Sequence, residues 1–313
     1  MDRLLEIEEL TKRFGPITAV EGVSFSVGRG EVLGFLGPNG AGKTTTMRMV
    51  TGYLPSSGGT ARVCGFDVGR QPIEVKRRIG YLPEGAPAYG DMTPLGLLGF
   101  VADLRNLKGA RRKERIDAVV ERLALGSVLH RPIETLSKGF KRRVGLAQAI
   151  LADPEVLILD EPTDGLDPNQ KHEVRQLLTE MAGDKAIVIS THILEEVEAI
   201  CSRAIIVAAG RIVADATPEA LLARAPDHRA VGLRLAADHE AGARAALDAL
   251  PAVARVETLA ASNGIAALRA YPADGQEILG PVQQAIAAAG IALDEIYVER
   301  GRLDEVFRAL TQR

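Results

Sequence analysis

The first part of the chain alternates short apolar runs with segments that have helical spacing. Residues 32–36 and 156–159 are continuous apolar runs, and residues 186–190 form a third run that ends in Ser190. Short runs without alternation are typical of strands that are covered on both faces of a parallel sheet. Residues 23–27 alternate instead, which predicts a half-buried strand. The pattern therefore predicts an α/β domain around a buried parallel sheet.

The pattern changes over residues 85–150. Thr93 and Pro94 provide an N-cap residue followed by proline at the first helical position. Apolar residues then recur at helical spacing in two successive segments. They are Leu97, Leu98, Val101 and Leu104 in the first segment, and Ile116, Val119, Val120 and Leu123 in the second. We therefore expect an α-helical insert of about residues 85–150 within the α/β domain.

A second domain is expected after a linker at residues 223–227. The pattern predicts strands at 231–235, 253–259, 265–270 and 293–298, with helices at 241–250 and 278–289. The resulting order, β-α-β-β-α-β, is typical of a small ferredoxin-like fold. We expect domain boundaries at 1–225 and 226–313. The second domain carries no catalytic constellation, so a packing or dimer-stabilising role is favoured over ligand sensing.

Composition limits the range of partners and compartments. At 313 residues the chain is longer than one core usually serves, so two domains are expected. The formal net charge of −3 provides no basic field, so we expect no nucleic-acid partner. Cys64 and Cys201 are far apart and form no C-x-x-C pair, which favours a reduced cytosolic protein with incidental thiols.

Targeting and membrane-spanning segments are not expected. The N-terminal residues lack the apolar core of a signal peptide. No apolar run approaches the roughly 18 residues of a membrane-spanning helix. If the protein acts at a membrane, we expect another chain to cross it.

Residues 37–45 match the phosphate-loop pattern G-x-x-x-x-G-K-[ST]. The apolar run before the loop and the helix-compatible segment after it separate such a loop from a chance match. Glycines let backbone N–H groups approach phosphate oxygens, and the helix N-terminus adds partial positive charge. Lys43 is expected to reach the β- and γ-phosphates, and the Thr44 hydroxyl to bind Mg²⁺. The predicted nucleotide-binding residues of the loop are Gly37, Asn39, Gly40, Ala41, Gly42, Lys43, Thr44 and Thr45.

Acidic residues follow the apolar run 156–159. Asp160 and Glu161 stand where parallel α/β sheets place their ligands, at the carboxyl end of a strand. Adjacent strand residues point to opposite faces, so we expect different tasks for the two carboxylates. Asp160 is expected to serve Mg²⁺ and its water shell, and Glu161 to polarise the attacking water. His192 follows the run 186–190 and is expected at the same sheet edge.

Two other features have two interpretations each. Phe14 is expected in a loop after a first strand at residues 4–9, where its ring could stack on a purine or fill the core. Ser137 and Gly139 stand at the start of a helix. That helix end could bind an anion, or it could be an ordinary capped surface helix.

Together these segments resemble the nucleotide-binding subunit of ABC transporters over residues 1 to about 225. The resemblance rests on several motifs in fixed order, which is far more specific than a phosphate loop alone. It implies an ATPase with a role for each matched position. Phe14 matches the adenine-stacking aromatic, residues 37–45 the Walker A loop, Glu84 the Q-loop position, and residues 136–140 the signature. Asp160 and Glu161 match Walker B, Asp167 the D-loop aspartate, and His192 the switch histidine.

Two positions depart from the usual family pattern. Glu84 stands where the family has glutamine, and residues 136–140 read Leu-Ser-Lys-Gly-Phe instead of Leu-Ser-Gly-Gly-Gln. Both departures resemble a subgroup of ATPases that pair with ABC-2 type permeases, including those similar to gliding-motility and copper-site maturation systems. Glu84 could hold water or Mg²⁺, or it could form an ion pair with a basic residue on the permease. Both interpretations are open at this point.

The resemblance implies an ATP sandwich. Two copies would close around ATP and Mg²⁺, with the Walker motifs of one facing Ser137 and Gly139 of the other. It also implies a separate transmembrane permease, an exporter of ABC-2 type, and a peripheral location at the cytoplasmic face of the inner membrane. The alternative is a soluble ABC-type ATPase, but the long heptad insertion of repair members and the second cassette of translation members are both missing. A regulator that binds ATP without hydrolysis is disfavoured because Glu161 and His192 are both present.

Overall fold

The computed structural model describes residues 2–262, 264–273 and 275–312. The chain divides into two units. The first extends to Pro218 and includes the end of the chain from Leu310, and the second is Glu219–Ala309. The boundary expected from the sequence, between residues 225 and 226, lies a few residues after this division.

The first unit contains ten strands and seven α-helices among the described residues, and an eighth α-helix starts at its boundary residue Pro218. The strands are β1 (Arg3–Phe14), β2 (Ile17–Gly28), β3 (Val32–Leu36), β4 (Gly58–Val63), β5 (Phe66–Asp67), β6 (Ile79–Leu82), β7 (Val156–Asp160), β8 (Ala186–Thr191), β9 (Arg203–Ala208) and β10 (Arg211–Ala216). The helices are α1 (Lys43–Val50), α2 (Pro72–Arg78), α3 (Pro94–Leu104), α4 (Gly109–Arg122), α5 (Lys138–Ile150), α6 (Pro168–Ala182), α7 (Leu194–Ile200) and α8 (Pro218–Leu222).

A six-stranded sheet in the order β10-β9-β3-β8-β7-β6 positions the functional segments. Strands β3, β7 and β8 are buried along their whole length, as their unbroken apolar runs predict. All neighbouring pairs in this sheet are parallel except the edge hairpin of β9 and β10. The carboxyl ends of β3, β8 and β7 are therefore adjacent. This arrangement brings the segments that follow these strands to one edge of the sheet.

The N-terminal strands are longer than their sequence predicts. Strand β1 runs through Phe14, and the pairing with β2 continues to the last pair, Phe14 and Ile17. The expectation that Phe14 lies in a loop is therefore wrong. Register shifts interrupt the ladder between residues 7 and 13. They break the apolar alternation that a strand prediction needs, which explains why the sequence pattern ended the strand early.

The core of the first unit joins the antiparallel sheet β2-β1-β4-β5 to the six-stranded sheet. The rings of Phe25 and Phe35, one from each sheet, lie with their centroids 5.4 Å apart. Met47 and Val50 of α1 are buried in the same cluster. The helix that follows the phosphate loop is thus anchored on its apolar side, while its N-terminus stays at the sheet edge.

The second unit has one sheet in the order β12-β13-β11-β14, with every pair antiparallel. Its elements are β11 (Val231–Ala236), α9 (Glu240–Asp248), β12 (Val253–Ser262), β13 (Ile265–Pro272), α10 (Leu279–Ala288) and β14 (Glu295–Val298), followed by α11 (Leu303–Thr311), which belongs to this unit up to Ala309. Up to β14 the order is the β-α-β-β-α-β pattern of the sequence. Leu233, Leu247, Leu268 and Val282 are buried together and give the unit its own core.

Within the part of the chain that the structure describes, none of the helices combines the length and the apolarity that a membrane span requires.

Candidate active site

The phosphate loop connects β3 to α1 and requires glycine at position 42, where backbone conformation and packing both exclude a side chain. Gly42 has φ of +104°, and a Cβ built on it would lie 2.6 Å from the carbonyl oxygen of Ala19. Only glycine combines this backbone conformation with so close an approach. Gly42 is also the N-cap of α1, so the helix begins with unpaired N–H groups that face the loop.

The Lys43 side chain folds back over this loop. Its Nζ donates hydrogen bonds to the carbonyl oxygens of Gly37, at 2.7 Å, and Pro38, at 3.3 Å. An ammonium group has three donors, so one remains for an anion in the loop. The lysine is largely buried, which limits the screening of its charge by solvent. The loop thus presents a fixed cation beside the N-terminus of α1.

A cavity of about 300 Å³ adjoins the loop, and most of the predicted site residues line it. It is lined by Ala19, Asn39, Gly40, Gly42, Lys43, Thr44, Thr45, Glu84, Asp160 and Glu161. The wall thus combines the N-terminus of α1, a lysine and hydroxyl groups with three carboxylates. This combination suits a polyanion together with a hard cation.

Asp160 is the last residue of β7 and has only 1% of its surface exposed. Its Oδ2 atom has no hydrogen-bond partner. A buried carboxylate oxygen without a partner is costly, so such an atom in a cavity wall marks a place for a bound group. Asp160 is therefore available to hold a cation or its water.

Glu161 lies just beyond β7 and has φ of +51°, which is rare for a residue with a side chain. Its N–H donates to the carbonyl oxygen of Ser190, 2.8 Å away, on the neighbouring strand. This turn takes Glu161 out of the strand alternation, so Asp160 and Glu161 both reach the cavity wall. The expectation that strand alternation separates them is wrong, because only Asp160 belongs to the strand.

His192 contacts Glu161 directly. Its Nδ1 lies 2.8 Å from Oε1 of Glu161, and the side chains are 58% and 12% exposed. Because an ionised carboxylate only accepts hydrogen bonds, Nδ1 carries the proton in this contact. The structure thus pairs a shielded carboxylate with an exposed imidazole, at the sheet edge where the sequence predicted His192.

A second set of hydrogen bonds lies behind Glu161. The Thr191 hydroxyl is 3.4 Å from Oε2 of Glu161 and 3.0 Å from Oε2 of Glu196. The other oxygen of Glu196 accepts from the hydroxyl of Thr163. Burial raises the pKa of Glu196 above its ordinary value. Sequence reasoning missed these residues, because Glu196 is one of three glutamates at positions 195, 196 and 198 and nothing in its spacing marks it.

Glu84 and Phe14 lie at exposed positions. Glu84 follows β6 in a turn, and its side chain joins Asp160 and Glu161 in the cavity wall. Phe14 is 48% exposed, and the Lys12 Nζ lies 5.1 Å from the centroid of its ring. The interpretation of Phe14 as core filling is therefore wrong. Its exposed ring face is compatible with the stacking interpretation, which stays a prediction.

Ser137 of the signature and Asp167 of the D-loop position each cap a helix. The Ser137 hydroxyl accepts from the Phe140 N–H at 3.3 Å and caps α5. Asp167 accepts from the Gln170 N–H at 2.9 Å and caps α6. A Cβ on Gly139 would lie 2.7 Å from the Gln170 side-chain oxygen. The two helix starts therefore form one packed surface.

That surface lies apart from the phosphate cavity of the same chain. Among the described residues, the cavity wall includes neither Ser137, Gly139 nor Asp167. The sequence offered one signal for the capping role, since Asp167 followed by Pro168 is a typical helix start. In a single copy, the signature helix therefore leaves the phosphate loop uncovered.

Comparisons with known proteins agree with this architecture. The family described as ABC transporter matches residues 20–164. The daunorubicin resistance ATP-binding protein DrrA3 of Streptomyces coeruleorubidus is 34% identical over 99% of this chain and 96% of its own length. The linearmycin resistance ATP-binding protein LnrL of Bacillus subtilis is 31% identical over 99% of both chains. A solved ATP-binding subunit of an ABC transporter is 31% identical, covers 70% of this chain and 91% of its own, and superposes with a TM-score of 0.66.

A phosphate loop, a Walker-type acidic pair and a switch histidine on one sheet edge define an ABC-type ATPase. The chain belongs to the ABC transporter family and is an ATP-binding, ATP-hydrolysing subunit within it. The family resemblance found in the sequence is confirmed, as is the α/β fold of the ATPase domain.

Proposed function

We propose that this chain hydrolyses ATP with Glu161 as general base, and that it powers an exporter through a separate permease. The observation that carries the catalytic part is the 2.8 Å contact between His192 Nδ1 and Glu161 Oε1 beside the Lys43 cavity. Names of relatives that refer to daunorubicin and linearmycin resistance support export as the direction. ATP binding and turnover by Glu161→Gln test the proposal: binding is expected to persist while turnover falls.

The chemistry divides among residues of the cavity wall and His192, which contacts Glu161 from outside that wall. Lys43 and the N–H groups at the start of α1 neutralise charge on the β- and γ-phosphates. Glu161 accepts a proton from the attacking water, and His192 fixes the orientation of the Glu161 carboxylate through its Nδ1–H. Catalysis then rests on positioned charge and one proton transfer. The buried Lys43 supplies the positive charge, and the shielded Glu161 carboxylate accepts the proton.

The residues present also fit a magnesium ion. The Oδ2 of Asp160 is buried without a partner, and the Thr44 hydroxyl and the Glu84 carboxylate line the same cavity. These are oxygen donors, which Mg²⁺ prefers. In the described part of the chain, no group of three or more His, Cys, Asp or Glu residues forms a complete metal site. The ATP phosphates would therefore supply part of the coordination shell, and the ion would neutralise charge on them.

We further propose that two copies form the working unit. The phosphate cavity of one copy is open to solvent on one side, and Ser137 and Gly139 of the same copy lie outside its wall. The N-terminus of α5 offers N–H groups and partial positive charge to an anion. A two-fold arrangement would place this helix end against the triphosphate of the other copy, and would complete two identical sites.

The permease is proposed to bind in a groove beside α2 and α3. This groove has a volume of about 490 Å³, and its wall includes Tyr53, Ile73 and Leu104, which are all exposed large apolar side chains. Exposed apolar side chains that converge on one concavity are typical of a protein-binding site. Arg77 and Lys76 add positive charge at the rim. We expect an apolar permease segment with acidic flanks to occupy the groove.

A further inference from the structure

Glu196 is a buried carboxylate that the mechanism above does not use. It lies on α7, directly after the His192 loop, and 1% of its surface is exposed. Burying a carboxylate is unfavourable unless hydrogen bonds satisfy its oxygens. Both oxygens of Glu196 are satisfied, one by the hydroxyl of Thr163 and the other by that of Thr191. A buried group with complete partners between two catalytic loops is a candidate for a positioning role.

The two threonines belong to the loops that carry the catalytic residues. Thr163 follows Glu161 by two residues, and Thr191 immediately precedes His192. Thr191 also accepts a hydrogen bond from the Ile193 N–H at 3.0 Å, so its hydroxyl ties the loop that carries His192 to the start of α7. Glu196 therefore connects the loop of the base to the loop of the histidine through one carboxylate.

The hydrogen-bond geometry also assigns the single proton of the Thr191 hydroxyl. Two carboxylates compete for it, with Oε2 of Glu196 at 3.0 Å and Oε2 of Glu161 at 3.4 Å. The shorter contact has the better hydrogen-bond distance, so the proton points to Glu196. Oε2 of Glu161 then keeps its lone pairs for a water molecule, while Oε1 accepts from His192.

We propose that Glu196 is a positioning residue for ATP hydrolysis, acting through Thr191 and Thr163 on Glu161 and His192. The proposal rests on the proposed role of Glu161 as general base. Glu196 fixes the distance between base and histidine and keeps one Glu161 oxygen free of protein donors. Catalytic groups displaced by about 1 Å can lose about a hundredfold in rate, so loss of this anchor is expected to slow the chemical step.

The test compares matched variants of the full chain in steady-state ATP turnover. Thr191→Val removes the hydroxyl at nearly constant shape, and Glu196→Leu removes both acceptors at similar volume. Each is expected to lower kcat by about tenfold to a hundredfold, with the KM for ATP changed less than about twofold. Thr191→Ser keeps the hydroxyl and is expected to stay within about threefold of the wild-type kcat, which makes it the conservative rescue.

A double variant separates rate from stability. Thr191→Val with Glu196→Leu removes both partners of one hydrogen bond, so its loss of thermal stability is expected to be smaller than the sum of the losses in the two single variants. Its kcat is expected to stay as low as in the single variants, because both changes break the same link. Recovery of kcat together with stability would show a purely structural role and overturn the proposal.

Glu161→Gln, measured in parallel, distinguishes failure of the proposed general base from failure of the positioning role of Glu196. Full turnover by Glu161→Gln would remove the general base and the proposed function with it. Loss of turnover in Glu161→Gln together with wild-type kcat in both Glu196→Leu and Thr191→Val would leave the base in place and overturn the positioning role alone.

Discussion

The Nδ1 atom of His192 lies 2.8 Å from Oε1 of Glu161, although 30 residues separate them in the chain. The two residues follow the neighbouring parallel strands β8 and β7, whose register pairs Asp160 with Ser190. Adjacent parallel strands deliver the residues after them to one sheet edge. The contact is thus a direct consequence of strand order, and it places a proton donor on the carboxylate proposed as the base.

Replacing the base tests the chemical step. Glu161→Gln keeps the shape of the side chain but cannot accept a proton from water. Turnover is expected to fall by about 10²- to 10⁴-fold, the range for a lost general base. Binding of ATP is expected to change little, because Lys43 and the helix end hold the phosphates. Steady-state hydrolysis and equilibrium binding of a fluorescent nucleotide measure the two quantities, and near-normal turnover removes Glu161 from the role.

Removing the imidazole tests its orienting role. In His192→Ala the carboxylate of Glu161 loses its donor at Oε1, so hydrolysis is expected to fall while nucleotide affinity is kept. The side chain is 58% exposed, so little loss of folding stability is expected. Turnover, nucleotide binding and thermal unfolding check these expectations. A large loss of affinity would point to a different task, such as direct phosphate binding in the ground state.

Two glycines of the phosphate loop provide a matched pair for stability. Gly40 has φ of +80°, and no heavy atom lies within 4 Å of the place a Cβ would take, so Gly40→Ala carries only backbone strain of about 1–2 kcal/mol. Gly42→Ala adds a clash with the Ala19 carbonyl and is expected to cost about 2–5 kcal/mol. Denaturant unfolding without nucleotide measures both. Equal effects at the two positions would contradict the assigned role of Gly42.

The proposed permease groove can be tested without touching the ATP site. Leu104→Glu places a charge among the exposed apolar residues of the groove and is expected to weaken co-purification with the permease by about tenfold or more. Val213→Glu is the control, since Val213 is exposed on β10 and outside the groove wall. Both isolated variants are expected to keep wild-type ATP turnover. Equal permease binding by both variants would place the docking surface elsewhere.

Part of this site could be predicted from sequence because its signals are local. The phosphate loop, Asp160 and His192 each come after an apolar run. Such a run predicts a buried parallel strand from neighbouring residues alone. The position of Glu161 could not be derived this way. Its left-handed backbone is a feature of the folded turn after β7, which strand periodicity does not encode.

Features that depend on distant partners were not predictable. Strand β1 extends to Phe14 because β2 pairs with it across register shifts, and the apolar alternation does not record those shifts. The proposed role of Glu196 depends on its hydrogen bonds with Thr163 and Thr191, which precede it by 33 and 5 residues. Asp167 is the opposite case, because Pro168 beside it is a local signal from which its capping role could have been predicted.

The central claim is that two copies complete each other's ATP sites. Substitutions of the signature residue Ser137 test this claim, because they can change charge at the proposed phosphate contact without removing the helix cap. Aspartate and asparagine cap helices as well as serine does, so Ser137→Asp and Ser137→Asn both keep the start of α5. Only the aspartate adds negative charge where a phosphate is proposed to bind. Ser137→Asp is therefore expected to abolish turnover, and Ser137→Asn to retain most of it.

Mixing two inactive chains is the most direct measurement. Glu161→Gln has an intact signature, and Ser137→Asp has an intact Walker site, so a mixed dimer contains one complete site. With random pairing, about half of the dimers are mixed and half of their sites are complete, so about a quarter of wild-type turnover is expected. Turnover no higher than in either variant alone, in a sample shown to contain mixed dimers, would contradict the account.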